Sequence, residues 1–158
     1  MSKRHLADAK MTAHLSISEA LAEDQRFSRF HEYIQIAGLD TILAGKGTYT
    51  VCAPINEAFA KLPTATLTMM LDDPKGLLFR VLQYHILYGN LSASTIKKLN
   101  FPKTRLGITI EITEQNGAVL YGDATVTIPN ISCSNGIIHG IDRVAIPNNQ
   151  GITLPPQQ

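Results

Sequence analysis

The residues from Tyr49 to Pro63 constrain this chain more than any others. Tyr49-Thr50-Val51-Cys52-Ala53 is apolar and β-branched, the composition of a buried strand. Pro54 cannot donate to a β-ladder, so the strand is expected to end there. Asn56 has a side chain suited to an N-cap, and Glu57 suits the positive end of a helix dipole, so a helix is expected to start at this point. Ala58, Phe59 and Leu62 lay an apolar stripe on that helix, and Pro63 closes it. A lone strand needs neighbours, and the other segments with a strand-like period come much later in the chain.

Before this stretch the pattern is helical. Ser16-Ile17-Ser18-Glu19 is a capping box that opens a short helix through Ala22. Asp24 is expected to cap a second helix, with Phe27, Phe30, Ile34 and Ala37 at helical spacing and Gly38 in the terminating position. Leu39 to Leu43 adds a further turn. Gly45-Lys46-Gly47 then leads into the strand. A phosphate loop follows a strand and opens a helix, so these glycines do not make one. After Pro63, Thr66 is expected to cap a helix holding Leu67, Met70 and Leu71. Asp73-Pro74 starts another, with Leu77, Leu78, Val81, Leu82 and His85 on one face. Gly89 interrupts the next segment, and Ser92 can cap a short helix through Lys98.

From Leu106 the period changes to 2. Ile108, Ile110 and Ile112 alternate with Thr109, Glu111 and Thr113. Asn116-Gly117 is a type I′ hairpin turn, and Ala118 to Tyr121 returns as the partner strand. Val126 and Ile128 mark the next strand, Asn135-Gly136 another tight turn, and Ile137 to Ile146 the last strand. Helices first and strands mostly last argue α+β, with the 49–53 strand inserted among the late ones. The domain is expected over 16–147, after an N-terminal arm (1–15) and before a Pro/Gln-rich flexible tail (148–158).

Thr50 to Phe59 resembles the first signature of the fasciclin (FAS1) domain, Thr-Val-Phe-Ala-Pro-Thr-Asn-Glu-Ala-Phe, with Cys52 for Phe and Ile55 for Thr. Asn135-Gly136-Ile137-Ile138-His139-Gly140-Ile141-Asp142 is similar to the second signature of that family. Tyr84-His85 resembles the Tyr-His pair between them. Thr50, Pro54, Asn56, Phe59, Asn135, Gly136, His139 and Asp142 are thus the structural motif positions. The resemblance implies a FAS1-type β-sandwich wedge with N-terminal and inserted helices. It also implies that the strands of the two signatures lie near each other, which leaves a Cys52–Cys133 bridge open beside the plainer reading of two buried thiols.

Composition excludes several functions. The 158 residues carry a formal net charge of +1 with both signs distributed along the chain and no long basic stripe, which argues against nucleic acid as a partner. Lys97, Lys98, Lys103 and Arg105 form a small cluster, read as a solvated loop face. No apolar run is long enough for a membrane span. Met1-Ser2-Lys3-Arg4-His5 lacks the apolar region of a signal peptide. The family is typically extracellular or periplasmic, so that location is expected here, with a signal absent from these residues. The two cysteines have no metal-type spacing, and no His-Glu-x-x-His pattern occurs, so no metal or other cofactor is expected.

Catalysis is not expected. Ser132 or Ser134 with His139 and Asp142 has no nucleophile-elbow motif, and His139 and Asp142 fall on opposite faces of a strand. Asp142 is read as an acceptor for a backbone amide or for Arg143, and His85 as bonded near Asn56 or to neighbouring backbone. Asn90-Leu91-Ser92 and Asn130-Ile131-Ser132 are glycosylation acceptors by sequence alone, from which no glycan is inferred. In animal fasciclin domains the Tyr-His pair is associated with integrin binding, so Tyr84 and His85, flanked by Val81, Leu82, Ile86 and Leu87, are the partner-binding candidates. The expectation is a monomeric, non-catalytic, adhesion-like module contacting a cell-surface or matrix protein or glycan. The alternative is a carrier of an apolar lipid or pigment between helices and sheet, walled by Met69, Met70, Phe79 and Tyr88.

Overall fold

A computed structural model describes residues 12–147 of the chain. The first eleven residues of the expected arm and the 148–158 tail lie outside the described residues. Helix α1 (Ile17–Glu23) begins on the capping box: the Ser16 hydroxyl accepts from the Glu19 amide at 3.1 Å, and the Glu19 carboxylate accepts from the Ser16 amide at 2.9 Å. Asp24 caps a 3₁₀ turn (Gln25–Phe27) that leads into α2 (Ser28–Ala37), and Gly38 ends α2 in the left-handed conformation, φ 82°. Helix α3 (Asp40–Leu43) precedes strand β1 (Tyr49–Pro54).

After β1 come α4 (Asn56–Ala60) and α5 (Thr64–Leu71). Thr66 does not cap α5; it sits inside the helix and is fully buried. Asp73 does cap the next element, but the chain first makes a π-helical turn (Pro74–Leu78) in which the Asp73 carboxylate accepts from the Leu77 amide at 2.9 Å, and only then enters α6 (Phe79–Gln83). The segment before Gly89 is a strand, β2 (Ile86–Tyr88), and Ser92 caps α7 (Ala93–Ile96). Three residues are too few to show a period, which is why β2 is hidden among helices in the sequence.

The remaining strands are β3 (Ile112–Gln115), β4 (Ala118–Tyr121), β5 (Ala124–Cys133) and β6 (Gly136–Ile141). Asn116 and Gly117 both have positive φ, 54° and 82°, as a type I′ turn requires. Several expected boundaries move: the Asn56 helix ends at Ala60 and the Ser92 helix at Ile96. Residues 106–111 stay outside β3, and β6 stops at Ile141 rather than Ile146. The turn before β6 is Ser134-Asn135, with Gly136 already in the strand.

The sheet order is β2-β1-β6-β5-β4-β3. β1 runs antiparallel to β2 and parallel to β6, with Thr50 opposite Ile137, Val51 opposite Ile138 and Cys52 opposite His139. Pro54 closes this ladder opposite Ile141, and the Ile55 amide resumes it by donating to the Ile141 carbonyl at 3.0 Å. The wedge is therefore built from one hydrogen-bonded sheet rather than two separate ones. β5 makes the bend, with register shifts at Val126–Ile131 and a left-handed Asn130 at φ 61°.

Two apolar clusters result. The larger packs α1, α2, α3, α5 and α6 (Leu21, Phe30, Ile34, Leu43, Met70, Leu82) on one side of the sheet against Val51, Ile86 and Ile138. The smaller joins Cys52 of β1 and Leu87 of β2 to Ile112 of β3 and Tyr121 of β4. These strands are at opposite ends of the sheet order, so the sheet curls until its ends share a core. Each fully buried Phe, Leu or Ile contributes roughly 1.5–3 kcal/mol.

Candidate functional site

The motif residues act through hydrogen bonds to distant backbone. Asn135 Oδ1 accepts from the amide of Ile17, the first residue of α1, at 2.8 Å, and Asn135 Nδ2 donates to the carbonyls of Leu43, at the end of α3, and Gly45. Asn56 Oδ1 accepts from the Arg29 amide in the first turn of α2 at 2.9 Å, while Nδ2 donates to the Gln25 carbonyl and the Ser28 hydroxyl. Asn130 Oδ1 accepts from the amide of Ala93, the first residue of α7, at 2.9 Å. Three asparagines thus supply acceptors to orphan amides at three helix starts, from positions far away in the chain. Asn56 does not cap its own helix, as its neighbours suggested. Its side chain is spent on α2, whose flanking Phe27 offers no cap of its own.

The two motif histidines are buried. His85 Nδ1 lies 2.8 Å from the Val81 carbonyl and must donate to it, so Nε2 is free to accept from the Ala145 amide at 2.9 Å. His139 is the opposite tautomer: Nε2 donates to the Leu91 carbonyl and Nδ1 accepts from the Asn130 amide. Both rings are held neutral. Desolvation pushes His85 down to about 4, against a smaller opposing effect of the bond to Val81, and burial likewise lowers His139. Thr50 completes the arrangement: its hydroxyl donates to the Gly89 carbonyl at 2.6 Å and accepts from the Leu91 amide at 2.8 Å. Leu91 is therefore held at its amide by Thr50 and at its carbonyl by His139.

A family model for the fasciclin domain matches residues 25–147, which include every one of these positions except those at the start of α1. This chain belongs to the fasciclin domain family. The Synechocystis protein sll1735 is 36% identical over 132 residues, covering 83% of this chain and 97% of its own length. The pig transforming growth factor-beta-induced protein ig-h3 is 32% identical over 147 residues; these cover 92% of this chain but only 21% of that larger protein. Among solved structures, a FAS1 domain pair from the insect cell adhesion molecule Fasciclin I superposes with a TM-score of 0.74 at 18% identity, over 89% of this chain and 53% of that one.

In this fasciclin domain the Tyr-His pair is split by burial. His85 has no exposed surface, so its ring cannot itself meet a partner. Tyr84 is half-buried at the end of α6, its ring edge-on to His85 at 6.4 Å between centroids, and its carbonyl accepts from the Tyr121 hydroxyl at 2.8 Å. Desolvation, with Asp123 nearby, raises the pKa of the Tyr84 phenol. Phe59 is buried edge-on against Tyr33 at 5.0 Å. Asp142 lies just past β6, and its carboxylate accepts from the Thr125 amide at 2.8 Å. Cys52 and Cys133 are free, buried thiols, and burial raises the pKa of both.

The four residues read as walls of an apolar cavity differ in burial. Met70 is in the large core and Phe79 packs on it, whereas Met69 is 38% and Tyr88 57% exposed. Among the described residues no group of three or more His, Cys, Asp or Glu side chains could hold a metal ion, and no helix is long and apolar enough to cross a membrane. The anchoring roles of Asn130 and Leu91 escape a reading of the sequence. Asn130 carries only a glycosylation pattern there, and its capping role depends on a helix 37 residues earlier.

Proposed function

We propose that this fasciclin domain is a non-catalytic binding module that works outside the cytoplasm, as a monomer, through adhesion-like contacts with a cell-surface or matrix protein or glycan. The observation that carries this reading is the internal use of the motif side chains. His85, His139, Thr50, Asn56, Asn135 and Asp142, with the neighbouring Asn130, all bond to backbone groups of the same chain. A general base must reach a substrate, and these groups are already spent. What remains to meet a partner is the outer surface of a cross-tied body. The likeness to Fasciclin I, an insect cell adhesion molecule, supports the same reading. Tyr84 is the partner-contact residue of the pair, and His85 positions it from beneath.

The test is retention of the purified chain on intact cells or extracellular matrix. Binding should be seen at near-physiological salt and be lost in Tyr84→Ala, with circular dichroism and melting temperature showing the fold intact. Turnover of any substrate that vanishes on changing one side chain would overturn the proposal.

A further inference from the structure

The net charge of +1 conceals a separation along the chain. Between Asp73 and Glu111 there is no carboxylate, while Lys75, Arg80, Lys97, Lys98, Lys103 and Arg105 all fall in this interval. The fold gathers part of this charge beside exposed aromatic rings. Thr104 bridges Leu87 of β2, and the Arg105 amide donates to the Ile86 carbonyl at 2.7 Å, so residues 103–105 run antiparallel along the edge of β2. Leu87 and Thr104 are fully buried on one face. By strand alternation Tyr88, Lys103 and Arg105 belong to the other. Tyr88 is 57% and Phe101 61% exposed, the most exposed large apolar side chains among the described residues.

The rings are not idle neighbours of the cations. Tyr49 lies 6.0 Å from Tyr88, and the Arg105 guanidinium carbon sits 5.8 Å from the Tyr49 ring centre. Gly47 makes room for this arrangement, because a Cβ there would come within 2.8 Å of the Tyr49 ring. Arg105 Nη1 donates to Gln83, whereas its Nε has no partner among the described residues. Lys97 is paired with Glu114, but neither Lys103 nor Arg105 faces a carboxylate in any ion pair among the described residues. The patch is therefore positive, aromatic and not neutralised by an ion pair among the described residues.

We infer that this edge, formed by Tyr88, Phe101, Lys103 and Arg105 over Tyr49, binds a linear acidic polysaccharide. The inference rests on the binding-module reading above and names its partner class. Exposed aromatic rings offer faces on which the C–H edges of sugar rings can stack, and the guanidinium and ammonium offer charge-assisted bonds to carboxylate or sulfate. Phe101, Lys103 and Arg105 recur at every second residue, with Lys103 in the β-bridged segment, Phe101 at the bend before it and Arg105 at the turn after it. That row suits a polymer with repeated charges better than a single small anion.

The experiment measures binding of the full chain to polygalacturonate and dextran sulfate at near-physiological salt, with neutral dextran, anionic lipid vesicles and single-stranded DNA as comparison probes. Either acidic polysaccharide should bind and neutral dextran should not. Lys103→Glu should weaken binding about tenfold and flatten its salt dependence. Phe101→Ala should weaken it several-fold with the salt dependence unchanged. Both side chains are exposed, so both variants should fold. No retention on either polysaccharide, binding by both variants equal to that of the unaltered chain, or stronger binding to vesicles or DNA overturns the inference. Cell binding that persists in Lys103→Glu and is not competed by polygalacturonate or dextran sulfate overturns it too, while leaving the binding-module reading standing. Polysaccharide binding without any cell or matrix binding has the reverse meaning.

Discussion

Acid should loosen this protein well before its carboxylates protonate, and His85 sets the size of the effect. In the folded chain the ring is fully buried, donates to Val81 and accepts from the Ala145 amide. Protonation would turn the accepting nitrogen into a donor facing another donor. Burial accordingly holds the group down to about 4, against about 6.5 in an unfolded chain. The sign follows from which state binds the proton. Below pH 6.5 the unfolded chain takes it up and the folded chain does not, so falling pH favours unfolding. The stabilisation from a neutral His85 is complete above about pH 6.5, declines by up to about 1.4 kcal/mol per pH unit below it, and is lost as pH passes through about 4. Between pH 7.5 and 5.0 the loss from this residue is about 2 kcal/mol. His139, shifted the same way, adds to it. Urea unfolding at pH 7.5, 6.0 and 5.0 at constant ionic strength measures the slope, and the His85 ring proton resonance reports its titration. A His85 that titrates near 6.5 in the folded protein, or a stability unchanged between pH 7.5 and 5.0, would refute the reasoning.

Two substitutions test how the halves are joined. Gly136 has φ 151°, and a Cβ there would fall 1.8 Å from the Tyr49 carbonyl oxygen, a backbone atom that cannot step aside without lifting β1 off β6. Gly136→Ala should therefore cost about 3 kcal/mol or abolish folding, whereas Gly117→Ala, with φ 82° and open space around it, should cost only about 1–2 kcal/mol; chemical denaturation of the pair compares them, and equal losses would count against the close approach. Asn135→Ala removes the acceptor for the Ile17 amide and the donor to Leu43 and Gly45. It should cost about 2 kcal/mol and speed amide hydrogen exchange at the start of α1 ahead of global unfolding, so uniform exchange would argue against a local tie.

Local chemistry is what could be read from the residues in order. The Ser16–Glu19 box, the left-handed Gly38, the Asn116-Gly117 turn and the Asp73 and Ser92 caps depend on partners a few residues away, and each appears where its neighbours demand. The order of helices before strands carried the α+β class, and the family signatures carried the nearness of β1 to β6. Tertiary structure decided the rest. Asn56 looks like the cap of its own helix, yet its carbonyl serves Arg29, because an amide side chain goes to whichever orphan donor the packed chain brings closest. β2 reveals itself only beside β1, since three residues carry no period of their own. The tautomers of His85 and His139 follow from carbonyls and amides 4 to 60 residues away. The basic cluster at 97–105 reads alone as a wet loop and gains a flat aromatic neighbour only when the chain lays it along Tyr88. A sequence specifies strongly what is settled within one turn of backbone. Pairings between remote segments depend on which surfaces remain to be buried after those turns have formed.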